Sequence, residues 1–216
     1  MGQGSYVICE LDSIYKENSY FQQSLANLET AMINKCSTEW RPRSFGSLTP
    51  TQDQFGRTTI LPGIFGDHTG LAPLAPLITW RQLFTTAGHQ LLMTGGGIGF
   101  TIPEDVKVAW AGIALPNKNQ HLTEIKYQIG DRKFGRIDLE ELHLYNKPAL
   151  IFEEGYILDE EESFDLWGYI EGPIPVFHDD AVLNRSWGVY QRIILLGAAY
   201  YKFYDKVGGA CGAQVI

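Results

Sequence analysis

From about residue 79 onward, apolar and polar positions mostly alternate with a period of two; before that point they do not. The runs "VKVAWAGIAL" (106–115), "LTEIKYQIG" (122–130), "KFGRIDL" (133–139), "ALIFEEGYIL" (149–158), "SFDLWGYIE" (163–171) and "VYQRIILLGAAYYKFYD" (189–205) are rich in β-branched and aromatic residues and are bounded by turn residues. In "SFDLWGYIE", Phe164, Leu166 and Ile170 alternate with Asp165, Trp167, Tyr169 and Glu171. That pattern predicts a strand with one face in a core and one toward water. Gly130 and Asp131 in "IGDRKFG" mark a hairpin. With a further pair in residues 79–103 the total is about eight strands, the number of a jelly roll or related sandwich.

The period changes to that of a helix over residues 19–35, "SYFQQSLANLETAMINK", where Phe21, Leu25, Leu28 and Met32 fall on one stripe. Ser19 and Gln22 have the spacing of a capping box. Residues 37–78 follow neither period. They hold five of the 10 prolines, which fix φ and cannot donate to a ladder. They also carry Trp40, Phe45, Phe55, Phe65, Leu71 and Leu74, more large apolar side chains than a disordered linker has. An extended arm laid over a folded surface is expected, with these six residues as its anchors.

The expected organisation is therefore an N-terminal strand and amphipathic helix (1–36), a proline-rich arm (37–78), an antiparallel jelly-roll-like β-sandwich (79–207) and a small-residue tail, "GGACGAQVI" (208–216). The fold class is all-β. Composition agrees: 44% apolar residues with 23 glycines suits a globular chain rich in turns.

Charge and motif content narrow the function by exclusion. The net charge of -8 is concentrated in the second half: residues 1–100 carry 6 basic and 7 acidic side chains, residues 101–216 carry 11 and 18. Such a half repels phosphate backbones, so no nucleic-acid partner is expected at the sandwich. Residues 82–103 lack a charge for 22 positions, but the interrupting glutamines, threonines and "GGGIG" read as strands around a turn, and no membrane span is expected. The opening "MGQGSYVICELDS" has no basic region followed by an apolar one, so no classical signal peptide is expected.

Candidate chemistry is sparse. Cys9, Cys36 and Cys211 form no CxxC pair, and the five histidines form no HxH or HExxH. "NRSWG" has Asn where a nucleophile elbow needs Gly, and "GGGIGF" is neither a P-loop nor a dinucleotide fingerprint. His178 beside Asp179 and Asp180 reads as a polar turn. The acidic stretch "LDEEESFD", with five carboxylates in residues 159–165, reads as a solvated hairpin connection whose side chains stay in water. Glu153, Glu154, Asp165 and Glu171 could supply a carboxylate pair on neighbouring strands. Trp167, Tyr169, Tyr200, Tyr201 and Tyr204 could stack on a sugar.

These observations lead to an expected non-enzymatic assembly subunit with no catalytic, cofactor or metal residues. In having a sandwich with an arm and a tail, the chain resembles single jelly-roll virion proteins. That resemblance implies a capsid-type protein whose partners are copies of itself and other virion or assembly proteins, located in the virion or at intracellular assembly. A carbohydrate-binding or adhesin-type sandwich is the alternative, and a glycan-active enzyme on the same fold is the third.

Overall fold

The computed structural model describes residues 6–9, 18–40, 55–65, 80–84, 86–94, 101–116, 121–145, 147–172 and 189–202. Helix α1, Ser19–Glu39, begins where Asn18 accepts a hydrogen bond from the Phe21 amide at 2.9 Å, a side-chain N-cap. The cap is one residue ahead of the Ser19 that the spacing suggests. The helix also runs past the expected span of 19–35 and past the unit boundary at 36, so residues 37–39 are helical and do not belong to an arm. Phe21, Leu25, Leu28, Met32 and Cys36 form its buried stripe.

Two antiparallel sheets carry most of the remaining structure. Strands β1 (Tyr6–Cys9), β2 (Phe55–Thr59), β5 (Val106–Ala114), β8 (Ala149–Leu158) and β11 (Ile194–Lys202) form a five-stranded sheet in the order β1-β8-β5-β11-β2. Strands β4 (Gly88–Thr94), β6 (Leu122–Ile129), β7 (Arg132–Asp138) and β9 (Phe164–Ile170) form a four-stranded sheet in the order β4-β9-β6-β7. A short pair joins β3 (Arg81–Phe84) to β10 (Val189–Arg192). One apolar cluster, with Val108, Trp110, Phe152 and Leu195 from the first sheet and Ile125, Tyr127, Phe164 and Leu166 from the second, fills the space between them. The arrangement is a β-sandwich.

A second cluster lies on the other side of the five-stranded sheet, under α1. There the sheet offers Ala109, Ala111, Ala114, Ala149 and Ala198 to the helix stripe. These small side chains let the helix pack closely, and Phe55, Ile151, Leu196 and Tyr200 complete the same layer. Coverage on both faces explains why every residue of β5 is buried, whereas β9 alternates between buried and half-buried positions.

Two glycines make the layers fit. Gly197 sits at a register shift between β11 and β5 with φ +146°, and a Cβ there would lie 1.9 Å from the Ala109 carbonyl oxygen. Gly155 has φ +69°, and its Cβ would lie 2.8 Å from Cδ2 of Leu28. It belongs to a wide bulge: Trp110 pairs with Tyr156 and Gly112 with Ile151, so residues 152–155 stand opposite Ala111 alone. The bulge turns Phe152 and Tyr156 together onto Trp110 and leaves Glu153 and Glu154 exposed. Ser24 of α1 donates to the carbonyls of Phe152 and Glu153 at 3.0 and 3.2 Å, fastening the helix to it.

Several expectations are corrected. Residues 55–59 are a strand of the sandwich paired with β11, and Pro62–Ile64 form a 3-10 turn, so the sandwich draws on the segment assigned to the arm. The run 189–205 divides at Ile193 into β10 and β11, which belong to different sheets. A one-turn helix, α2 (Glu140–Leu144), lies between β7 and β8. The acidic connection after β8 leads from the five-stranded sheet to β9 in the other, so it is a crossing between sheets and not a hairpin. The β6–β7 hairpin stands as expected, with Gly130 at φ +55°. The tail 208–216 lies outside the described residues.

Candidate functional site

The sequence hides its most unusual residue inside "VKVAWAGIAL". Lys107 falls on the helix side of β5, and its side chain is 0% exposed. A buried ammonium needs counter-charges, and three elements supply them. The last turn of α1 brings Glu39, whose Oε2 lies 2.7 Å from Nζ. The crossing after β8 brings Asp159, in direct contact with Nζ, and Glu160 at 3.4 Å.

The carboxylates are themselves tied down. Glu160 accepts from Trp40 Nε1 at 3.0 Å and from the Asp105 amide at 3.0 Å. Asp159 is shared between Lys107 and Lys35, and Lys35 also reaches Glu39 at 3.4 Å. The Trp40 ring lies 5.2 Å from Lys107 Nζ. Two of the five acids in "LDEEESFD" are therefore half-buried ion-pair partners, a correction to the fully solvated reading; Glu161 remains exposed.

Burial works against the Lys107 ammonium, but hydrogen bonds to Asp159 and Glu39 outweigh it and hold the pKa above its ordinary value. Burial likewise pushes the Asp159 carboxyl up, and the hydrogen bonds from Lys107 and Lys35 win, leaving it below the usual carboxylate value. Nearby Cys36 is pushed up to about 12, chiefly by burial. Such a thiol is protonated and inert at neutral pH.

Glu39, Asp159 and Glu160 place ligand oxygens within 4.8 Å of one another, a donor set suited to a hard cation. The Lys107 ammonium already stands among them and supplies the positive charge. The cluster is better described as an ion-pair network than as a metal centre.

A second region is the outward face of the four-stranded sheet. Strand register puts His89, Tyr169, Glu124 and Asp138 in one row and Leu91, Trp167, Lys126 and Arg136 in the next. Trp167 and Tyr169 are half-buried, with Lys126 Nζ 5.6 Å from the Trp167 ring and the His89 ring 4.8 Å from that of Tyr169. The other sugar-stacking candidates are placed differently. Tyr200 is buried beneath α1, Tyr201 is half-buried, and Tyr204 lies outside the described residues.

The six expected arm anchors divide into two groups. Trp40, Phe55 and Phe65 are buried within their own chain, while Phe45, Leu71 and Leu74 lie outside the described residues. Trp40 and Phe55 stack at 6.3 Å between ring centroids, and Phe65 packs on Trp80 at 6.5 Å. The residues that flank segment 41–54, and likewise those that flank segment 66–79, are thus a pair of neighbouring aromatic rings. Among the carboxylates proposed as a catalytic pair, Glu153 and Glu154 are on β8, whereas Asp165 lies on β9 and Glu171 directly follows it, in the other sheet and not on a neighbouring strand. His178, Asp179 and Asp180 lie outside the described residues.

No known family model, curated protein or solved structure matches the chain.

Proposed function

We propose that the chain is a structural assembly subunit of the virion, capsid-forming type, built on a jelly roll. The observation that carries this reading is the nesting of strand pairs. β2 pairs with β11, β3 with β10, β4 with β9, β5 with β8 and β6 with β7. Such nesting is expected of an antiparallel ribbon closed by the β6–β7 hairpin and rolled up; β2–β11 and β5–β8 lie in the five-stranded sheet, β4–β9 and β6–β7 in the four-stranded one and β3–β10 in a separate pair, which supports a jelly-roll winding. Fold alone does not specify function. What supports assembly is the composition of segments 41–54 and 66–79, which contain Phe45, Leu71 and Leu74 and are flanked by the ring pairs Trp40–Phe55 and Phe65–Trp80. Apolar side chains in proline-containing segments gain most by burial against something already folded.

The purified chain is expected to sediment as a multimer and to form closed or regular particles in negative stain. A monomer at every concentration overturns the reading.

A second reading, saccharide binding, is favoured by the outward Trp167 and Tyr169, since aromatic rings beside polar groups suit the mixed faces of a sugar. Binding on a glycan array that disappears in Trp167→Ala, with oligomeric state unchanged, distinguishes it from the first.

A further inference from the structure

The Lys107 network joins the last turn of α1 to the sheet at one point, while Ser24 holds the first turns at another, far along the helix. The groups around Lys107 come from every element packed there. They are Lys35, Cys36 and Glu39 from α1, Asp159 and Glu160 from the crossing after β8, Asp105 with its partner Lys202 at 3.3 Å, and Tyr200 from β11. Among the described residues the carboxylates that pair with Nζ are Glu39, Asp159 and Glu160, and all three reach partial solvent, with side-chain exposures of 43%, 29% and 27%. Protons can reach them without unfolding the protein, whereas the Lys107 side chain is 0% exposed.

We propose that this cluster is an acid-released latch: protonation of Glu39, Asp159 and Glu160 leaves the Lys107 ammonium buried without counter-charge, and the last turn of α1 with Trp40 lifts from the sheet to solvate it. Removing the partners of a buried charge is strongly destabilising, so local opening is the relief nearest to hand. The first turns stay, because their packing is apolar and the Ser24 hydroxyl that ties them to the sheet is neutral; the Glu29–Arg57 ion pair with β2 lies just beyond them. Segment 41–54 begins directly after Trp40, so opening also frees one side of the Trp40–Phe55 clasp. The latch itself does not depend on the assembly role.

Hydrogen exchange on the full chain, read as protection factors so that intrinsic exchange rates cancel, tests the proposal at neutral pH and at about pH 2, below the ordinary carboxylate range, because the hydrogen bonds from Lys107 and Lys35 outweigh burial and keep Asp159 ionised to lower pH. Amides 36–40 are expected to lose about tenfold or more of their protection on acidification while amides 22–28 keep theirs. In Lys107→Met, which buries no charge, protection of 36–40 becomes insensitive to pH. In Glu160→Gln, which can still accept from Trp40 and Asp105, opening begins at higher pH. Equal protection at both pH values in the natural sequence, uniform loss along the helix, or an unchanged acid response in Lys107→Met together with an unshifted opening in Glu160→Gln overturns the latch.

Discussion

The rings of Trp40 and Phe55 lie 6.3 Å apart and tilted at 58°, although residues 41–54 separate them in the chain. Phe55 continues the contact to Tyr200 at 6.0 Å, so α1, β2 and β11 meet at one aromatic junction. Trp40 is 3% exposed, and Trp40→Ala is expected to cost about 3–5 kcal/mol through the cavity it leaves. Tyr145→Ala, at a residue 62% exposed, should stay within about 0.5 kcal/mol. Urea denaturation compares them, and equal midpoints contradict the junction.

Gly197 and Gly88 both have positive φ, but their surroundings differ. A Cβ at Gly88 meets nothing within 4 Å, whereas one at Gly197 strikes the Ala109 carbonyl. Gly88→Ala is expected to cost about 1 kcal/mol from backbone strain alone, and Gly197→Ala more than about 2 kcal/mol or the loss of folding. Thermal melts of the two variants check the order.

The acidic crossing separates its side chains in a similar way. Glu161→Gln should change stability by under about 0.5 kcal/mol, because the residue is exposed. Glu160→Gln should cost measurably more, since it removes a negative charge from beside the Lys107 ammonium. Equal effects in chemical denaturation return both residues to the solvated class.

Much of this architecture is legible in the sequence because burial on one face leaves a period. The alternation in "SFDLWGYIE" becomes β9 with its alternate residues buried, and the α1 stripe from Phe21 to Met32 is the buried stripe. What escapes notice depends on a second layer. Lys107 interrupts an apolar run that is buried on both faces, and only the helix over the sheet makes its burial, and so its need for Glu39 and Asp159, apparent. The signal was there: a lysine in a central strand with unassigned acids elsewhere. The β8 bulge and the crossing at 159–163 depend on which sheet each strand joins, and local pattern does not encode that choice.

The ionisation of the network sets a pH window. Asp159 has a depressed folded-state pKa, so its contribution is present above its unfolded value and is lost as pH falls through the folded one. Lys107 has a raised pKa, so its contribution is complete below the unfolded value and is lost as pH rises through the folded one. Global stability is therefore expected to be flat from about pH 5 to about pH 10 with respect to this pair and to decline on either side. In Lys107→Met the alkaline decline should shrink. Denaturation midpoints across pH measure it, and an alkaline limb identical in both proteins speaks against the pairing.

The central proposal is assembly through residues 41–54 and 66–79. Its most direct test is sedimentation velocity on the full chain and on a variant in which 41–54 and 66–79 are each replaced by a short glycine-serine linker, with circular dichroism as a control. The account predicts a multimer for the full chain and a folded monomer, with its strand spectrum retained, for the variant. A full chain that sediments as a monomer, or a variant that keeps the same multimer, contradicts it.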